Sequence, residues 1–407
     1  MQGLLSSAAA PALLLAALLA PAPASGLARK ADKAALIQLF KLLGGPYWTH
    51  NDGWDPDGGT DPCNLEERWR GVGCIDPCDI YRDGPTCAFG RITALTLRDN
   101  NLTGSITNWT GVGALHNLSW IDMSINEISG SLPAEIGNIQ NIEVINMAWN
   151  RLDGGLPTTM GALNANGYAS LNELSFEYNQ MGGTLPSELG LLTKVRMFNF
   201  GHNSISGTIP AELTNLTEAQ VLYVSGNSLS GSLPEELGKM ADLRFLNASD
   251  NSLSGTLPPS VGALRALHDL SLYVNEISGS VPQELGDAYL LRHLRMSDNK
   301  LDGNLTRWTS MGDLRQLITL DLYNNQMVGD VPAALQNLTS LQYLYLDNQH
   351  YKPLRQKYCR QRLPDNGKYN YRIVRDEYVQ MTSVVCEDMH DTNFAFNSLQ
   401  VSGVYPD

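Results

Sequence analysis

Basic charge is scarce in this chain. Its 407 residues include 28 Lys and Arg against 42 Asp and Glu, a formal net charge of −14. That balance argues against nucleic-acid binding as the main role. Catalytic signatures are missing as well: there is no Gly-x-Ser-x-Gly, no His-Glu-x-x-His and no phosphate-binding glycine loop. The histidines at 50, 116, 202, 268, 293, 350 and 390 are scattered rather than grouped as metal ligands. The chain therefore reads as a non-enzyme with no cofactor and no metal site. Long apolar runs are also absent. The longest, "AAAPALLLAALLA" at 8–20, is too short to span a bilayer.

That run lies within the first 25 residues, which carry no charge, and is followed by "PAPASG" with small residues at Ala22 and Ala24. Although a positive n-region is missing, the pattern predicts a secretory signal peptide over 1–25, cleaved near 24–26. With no later spanning segment, the mature protein is expected to be secreted, in the extracellular space or cell wall. Six cysteines, an even number, suit an oxidising compartment. Four cluster early (Cys63, Cys74, Cys78, Cys87) and two come late (Cys359, Cys386), with some 270 cysteine-free residues between. Zinc is disfavoured because no Cys-x-x-Cys pair occurs. Six cysteines allow 15 connectivities; short local loops favour Cys63–Cys74, Cys78–Cys87 and Cys359–Cys386.

The cysteine-free middle is repetitive. "LSFEYNQMGGTLPSELG" at 174–190, "LYVSGNSLSGSLPEELG" at 222–238 and "LSLYVNEISGSVPQELG" at 270–286 are copies of one unit. The asparagine that ends each L-x-L-x-x-N falls at Asn100, Asn126, Asn150, Asn179, Asn203, Asn227, Asn251, Asn275, Asn299 and Asn325. Steps of 24 residues dominate, and the one of 29 reflects an insertion, "LNANGYAS" at 163–170. An eleventh unit, "LQYLYLDNQ" at 341–349, has Gln349 in the asparagine position. Such a period identifies a solenoid. L-x-L predicts a short strand with its leucines inward. One unit alone cannot bury a core, so the units must stack and share one. The asparagine can serve turning backbone groups. The glycine in S-G-x-L-P suits a positive φ or a crowded site, and the proline can open a helical turn.

"LSGSLP", "ISGTIP" and "LSGTLP" resemble plant-type leucine-rich repeats over about 91–349. "ADKAALIQLFKLLGG" (31–45) resembles the helix of the plant-type N-terminal cap, and "DPCNLEERWRGVGC" (61–74) resembles its Cys…Trp-x-Gly-Val-x-Cys signature. The Cys63–Trp69 gap is longer than usual, and Cys78/Cys87 are additional. The resemblance implies an α/β solenoid of about eleven units with a parallel sheet on its concave face. Residues 26–90 would form the N-terminal cap and 350–407 the C-terminal cap. It implies a recognition protein, kinase-less here and similar to receptor-like ectodomains or polygalacturonase-inhibitor-like proteins.

The concave face should present the variable residues around L-x-L. Its aromatics would be Trp120, Trp149, Tyr178, Tyr223, Phe245, Tyr273, Tyr323, Tyr343 and Tyr345. Polar groups among them would be Asp122, Glu173, Glu177, His202, Asp269, Arg295 and Asp321. Rigid exposed aromatics suit recognition hot spots; the competing reading is that they stack on each other and stabilise the ladder. Ten residues are the leading ligand-binding candidates: Trp149, Glu177, Tyr178, His202, Tyr223, Tyr273, Arg295, Asp321, Tyr323 and Tyr345. Seven sequons begin at Asn101, Asn108, Asn117, Asn215, Asn247, Asn304 and Asn337; Asn247 falls on the face itself. Residues 352–377 are basic, with eight Lys and Arg. The expected partner is an extracellular protein or peptide. The alternatives are a wall-degrading hydrolase that this chain inhibits, or a cell-wall polysaccharide.

Overall fold

A computed structural model describes residues 25–63, 68–75, 91–163, 171–329 and 332–346. The expected signal peptide (apart from Ser25), Cys78, Cys87, the C-terminal segment with Cys359 and Cys386, and the basic stretch at 352–377 lie outside the described residues.

The first helix, α1 (Ser25–Leu42), begins upstream of the expected Ala31 and ends before Gly44, whose φ of 69° leaves the helical region. Ala35, Leu36, Leu39, Phe40 and Leu43 recur at helical spacing and are buried. The Phe40 ring stands 5.1 Å from Trp48; Trp48 lies 4.9 Å from Trp54, and Trp54 4.8 Å from Trp69. The three indole N–H groups of this cluster each have an acceptor: Trp48 donates to Leu43 O, Trp54 to Arg70 O and Trp69 to Thr60 Oγ1. The disulfide Cys63–Cys74 joins the chain on either side of Trp69. Trp109 Nε1 donates to Ala35 O at 2.9 Å, which seats α1 on the first repeat.

Twelve strands form one long sheet in chain order. It opens with Val72–Ile75 antiparallel to Arg91–Thr96 and continues in parallel through the solenoid. The later strands include Trp120–Asp122, Glu173–Ser175, Met197–Asn199, Val221–Tyr223, Phe245–Asn247, Asp269–Ser271, His293–Arg295, Thr319–Asp321 and Tyr343–Tyr345. Each strand residue is aligned with its counterpart in the neighbouring strands, for example Leu222 with Phe198 and Leu246, and Tyr223 with Asn199 and Asn247. Leu222, Leu246, Leu270, Leu294 and Leu320 point inward and are buried. Across the core run short 3₁₀ turns such as Ser187–Leu191 and Gln283–Asp287. Their prolines, Pro186 and Pro282, occupy the N-cap and not the first turn residue; still extended, with φ near −67°, they lead into the turn where no ladder donor is forfeited.

A second ladder was not foreseen. The Ser-Gly-x segments pair with each other as Thr103–Ser105 with Glu127–Gly130, then as Ser206–Thr208 with Ser228–Gly231 and Ser252–Leu253. Glycine is needed here: Gly231 has φ 74°, and a Cβ would lie 2.8 Å from Thr208 Cγ2. Each repeat is thereby tied to the next on two lines.

The asparagines supply a third. Asn275 Nδ2 donates to Ala248 O of the preceding repeat and to Leu272 O and Tyr273 O of its own, at 3.0, 3.1 and 3.3 Å. Its Oδ1 accepts from Leu253 N at 2.9 Å. The arrangement recurs through Asn325. At the N-terminal end Asn100 exchanges both bonds with His50, so the cap supplies what a preceding repeat would. Asn275→Ala would leave Leu253 N and Ala248 O without this partner. Orphaned buried groups cost about 1–3 kcal/mol each, so the substitution should destabilise by about 2–4 kcal/mol. Denaturant titration should show this, while Gln342→Ala at an exposed position should change little.

Candidate binding face

The face is built from columns one repeat apart. The column before the first strand leucine holds Trp120, Val144, Glu173, Met197, Val221, Phe245, Asp269, His293, Thr319 and Tyr343. Trp120, Met197, Phe245 and Tyr343 are exposed. The column between the leucines holds Asp122, Asn146, Ser175, Asn199, Tyr223, Asn247, Ser271, Arg295, Asp321 and Tyr345. Tyr223, Arg295, Asp321 and Tyr345 are half-buried along this floor, and Tyr273 and Tyr323 stand beside it after the second leucine, half-buried in turn.

Trp149, Tyr178 and His202 do not share that floor. They occupy the residue before the ladder asparagine, where the backbone is left-handed in each repeat through Asn324: Ile125, Trp149, Tyr178, His202, Asp250, Val274, Asp298 and Asn324 all have φ between 51 and 58°. This turn carries the chain out of the strand while Trp149 N still donates to Glu177 O of the next repeat. A non-glycine residue there is strained by about 1–2 kcal/mol, and the ladder holds it. The three rings stack along the solenoid axis: Trp149 on Tyr178 at 3.9 Å and 21°, Tyr178 on His202 at 4.2 Å and 9°. Tyr178 is thus covered on both faces, while Trp149 remains 48% exposed. Gly226 is the single glycine in this column. A Cβ on it would approach His202 Nδ1 to 2.7 Å, so its absence makes room for the imidazole. Sequence reasoning missed Gly226; the signal was its solitary place among bulkier residues.

Glu177 and His202, in adjacent repeats, take different partners. Glu177 Oε2 accepts from Asn199 Nδ2, whereas the His202 ring lies on Tyr178. Towards the N-terminal end, Asp122, Glu173 and Glu177 make the floor acidic. Burial holds the Glu173 carboxyl above its ordinary pKa, and repulsion from Asp122 and Glu177 adds to this. Burial likewise raises the Tyr223 phenol, with Asp269 and Glu177 contributing. Towards the other end, Arg295 Nη1 donates to Asp269 Oδ2 at 2.7 Å and to Ser271 Oγ at 3.3 Å. Asp321 accepts from Ser297 Oγ and Tyr323 N, yet burial still raises its pKa.

Of the sequons, Asn101, Asn108, Asn215 and Asn337 are exposed, and Asn117, Asn247 and Asn304 half-buried. Asn101 Nδ2 donates to Tyr47 O of the cap. Asn247 stands on the floor between Tyr223 and Ser271, its Oδ1 accepting from Ser249 N and Oγ. Among the described residues no group of three or more His, Cys, Asp and Glu could hold a metal, and no helix is long and apolar enough to cross a membrane.

The Leucine Rich Repeat family model matches residues 219–240, 242–264 and 316–338. Among solved structures, the chain is similar to the ectodomain of the Arabidopsis thaliana membrane receptor kinase GASSHO1/SCHENGEN3, solved in complex with CASPARIAN STRIP INTEGRITY FACTOR 2. The TM-score is 0.66 at 29% identity, over 78% of this chain and 35% of that one. It is also similar to the Arabidopsis HAESA ectodomain with an extended IDA peptide hormone ligand (TM-score 0.60, 26% identity, 78% and 49% covered). A third is the plant peptide hormone receptor RGFR1 with RGF2 (TM-score 0.52, 32% identity, 62% and 43% covered). The chain thus spans between a third and a half of these ectodomains. No curated protein matches it. Repeat, sheet and similarity agree on the fold: the chain is a leucine-rich repeat solenoid, similar to the ectodomains of plant receptors.

A carboxyl whose folded pKa is raised stabilises the fold when protonated and loses that contribution as pH rises through the folded value. Asp321→Asn keeps an acceptor for Tyr323 N and removes the buried charge. The variant should therefore melt higher than wild type at pH 7. The difference should shrink as pH falls towards the ordinary aspartate value of 3.8, which thermal melts across that range will read.

Proposed function

We propose that this is a secreted, non-catalytic recognition protein that binds an extracellular peptide or protein through the concave face of its solenoid. One observation carries the reading: the ladder asparagine recurs from Asn100 to Asn325 above an apolar core, while the outward columns change from one strand to the next and hold aromatic and charged groups on a rigid sheet. Such a surface offers contact area with little side-chain ordering on binding. The similar receptor ectodomains, solved with peptide hormones, support it. A polysaccharide that stacks on rings finds less here, because Tyr178 has both faces covered, by Trp149 and His202, and each of those turns one face to it. Secretion implies glycans at some sequons, and Asn247 left bare would keep the middle of the floor open.

The test is capture from extracellular extract with the glycosylated protein, comparing wild type with a Tyr223→Ala, Tyr273→Ala, Tyr323→Ala variant of matched folding. A polypeptide held by wild type and released by the variant is expected. Equal capture by both would move recognition off the tyrosine floor, and glycan retained in place of any polypeptide would refute a peptide ligand.

A further inference from the structure

One residue outside the columns just described lies a row of basic side chains. Asn172, Arg196, Gln220, Arg244, His268 and Arg292 are consecutive members of one column, each accepting through its carbonyl the backbone N–H of the next. Arg196, Arg244 and Arg292 are exposed. None of the three forms an ion pair or side-chain hydrogen bond with a described residue, although Glu218, paired with Lys194, lies within the field of Arg196. Arg244 and Arg292 are close enough to His268 to disfavour its protonation, after burial, and Arg292 acts likewise on His293 after burial and Arg295. Beside this lip, in register on adjacent strands, are Met197, Val221 and Phe245. Met197 and Phe245 are each 38% exposed. An otherwise acidic molecule thus carries an unneutralised basic rim along an apolar strip.

We propose that this lip of the fifth to ninth repeats binds an extended acidic peptide running along the solenoid axis. Carboxylates would lie over Arg196, Arg244 and Arg292, and apolar residues between them over Met197, Val221 and Phe245. The spacing selects the conformation. Arginines two repeats apart are separated by about 10 Å, at roughly 4.8 Å per strand. In a polyproline-II chain every third residue returns to the same face after about 9.3 Å. An acidic residue at every third position therefore matches the arginines. In a fully extended strand, same-side residues recur at about 6.7 and 13 Å and do not match. The apolar strip favours a peptide over an anionic polysaccharide, which has nothing to place there. The inference rests on the recognition reading above and assigns it a ligand chemistry.

The experiment measures binding of labelled peptides to the full secreted protein by fluorescence anisotropy. The probe is a repeated Glu-Pro-Pro peptide. Comparisons are a peptide of equal composition with its glutamates adjacent, a Lys-Pro-Pro peptide, and oligogalacturonate of equal charge. The spaced acidic peptide should bind best and weaken with salt. It should lose roughly tenfold or more in affinity, about 1.4 kcal/mol per decade, in an Arg244→Gln, Arg292→Gln variant. It should also weaken in Phe245→Ala, but not in Arg265→Gln, an exposed arginine on the turn side. These sites are exposed, so unchanged melting curves will separate lost binding from lost folding. Equal binding of the adjacent-glutamate peptide or of oligogalacturonate overturns the proposal, as does retention by the arginine variant or no binding at all. If the tyrosine-dependent partner is still captured by the arginine variant, the lip assignment fails while the recognition reading stands.

Discussion

In this molecule a buried polar group in one repeat is satisfied by the repeat beside it. Asn251 Nδ2 reaches back to Val224 O while its Oδ1 accepts Leu229 N, both in the preceding repeat, and Asn227 and Asn275 do the same on either side. A buried amide lacking its neighbour would orphan backbone donors and acceptors in a dry core. The stack therefore cannot begin or end without a substitute. At the N-terminal end the substitute is His50, whose N–H and C=O take both bonds of Asn100. Behind His50 stand the Phe40, Trp48, Trp54 and Trp69 rings and the Cys63–Cys74 bridge, which hold that loop in place. The cap is thus a hydrogen-bonding requirement as well as a cover for apolar surface.

The same ladder determines what can vary. Its bonds are made by backbone and by the asparagine, so the residue before the asparagine is held left-handed whatever its type: Ile125, Tyr178, Asp250 and Gly226 all take it. Side chains at this position answer only to their neighbours in the column, and there Trp149, Tyr178 and His202 have become a stack. Part of the aromatic endowment is therefore spent on cohesion, as the rings' mutual faces show. The tyrosines at 223, 273, 323 and 345 belong to other columns, and it is those columns that are proposed for recognition.

Much of the architecture was legible because each signal rests on one residue type doing one thing. Leucines two apart point inward, asparagine satisfies a turn, and the period counts the units. The second ladder was hidden because Ser-Gly-Ser and Ser-Gly-Thr look like turn sequence, and pairing across repeats is not a local property. Trp149, Tyr178 and His202 could be assigned to the outside, but not to the left-handed position, since nothing in their composition marks it. The extension of α1 back to Ser25 was obscured by the apolar run at 8–20 that precedes it in sequence. The basic lip escaped because the outward columns were counted from one residue later, at Met197 and Phe245 instead of Arg196 and Arg244.

Placement of charge gives the face a direction. At the N-terminal end Asp122, Glu173 and Glu177 lie close enough that two of them raise the pKa of the third, an arrangement that opposes any anion. Further along, Asp269, in register beside Phe245, is neutralised by Arg295 and so does not compete with Arg244 and Arg292. A ligand drawn to the arginines is thus excluded from the acidic floor, and one with basic groups would be drawn there and away from the lip. Because the scaffold takes its stability from inward leucines and the ladder, neither arrangement weakens the fold by more than a partly buried charge such as Asp321 does. Repetition keeps the two tasks separate: inward positions hold the stack, and outward positions can acquire a gradient of charge residue by residue.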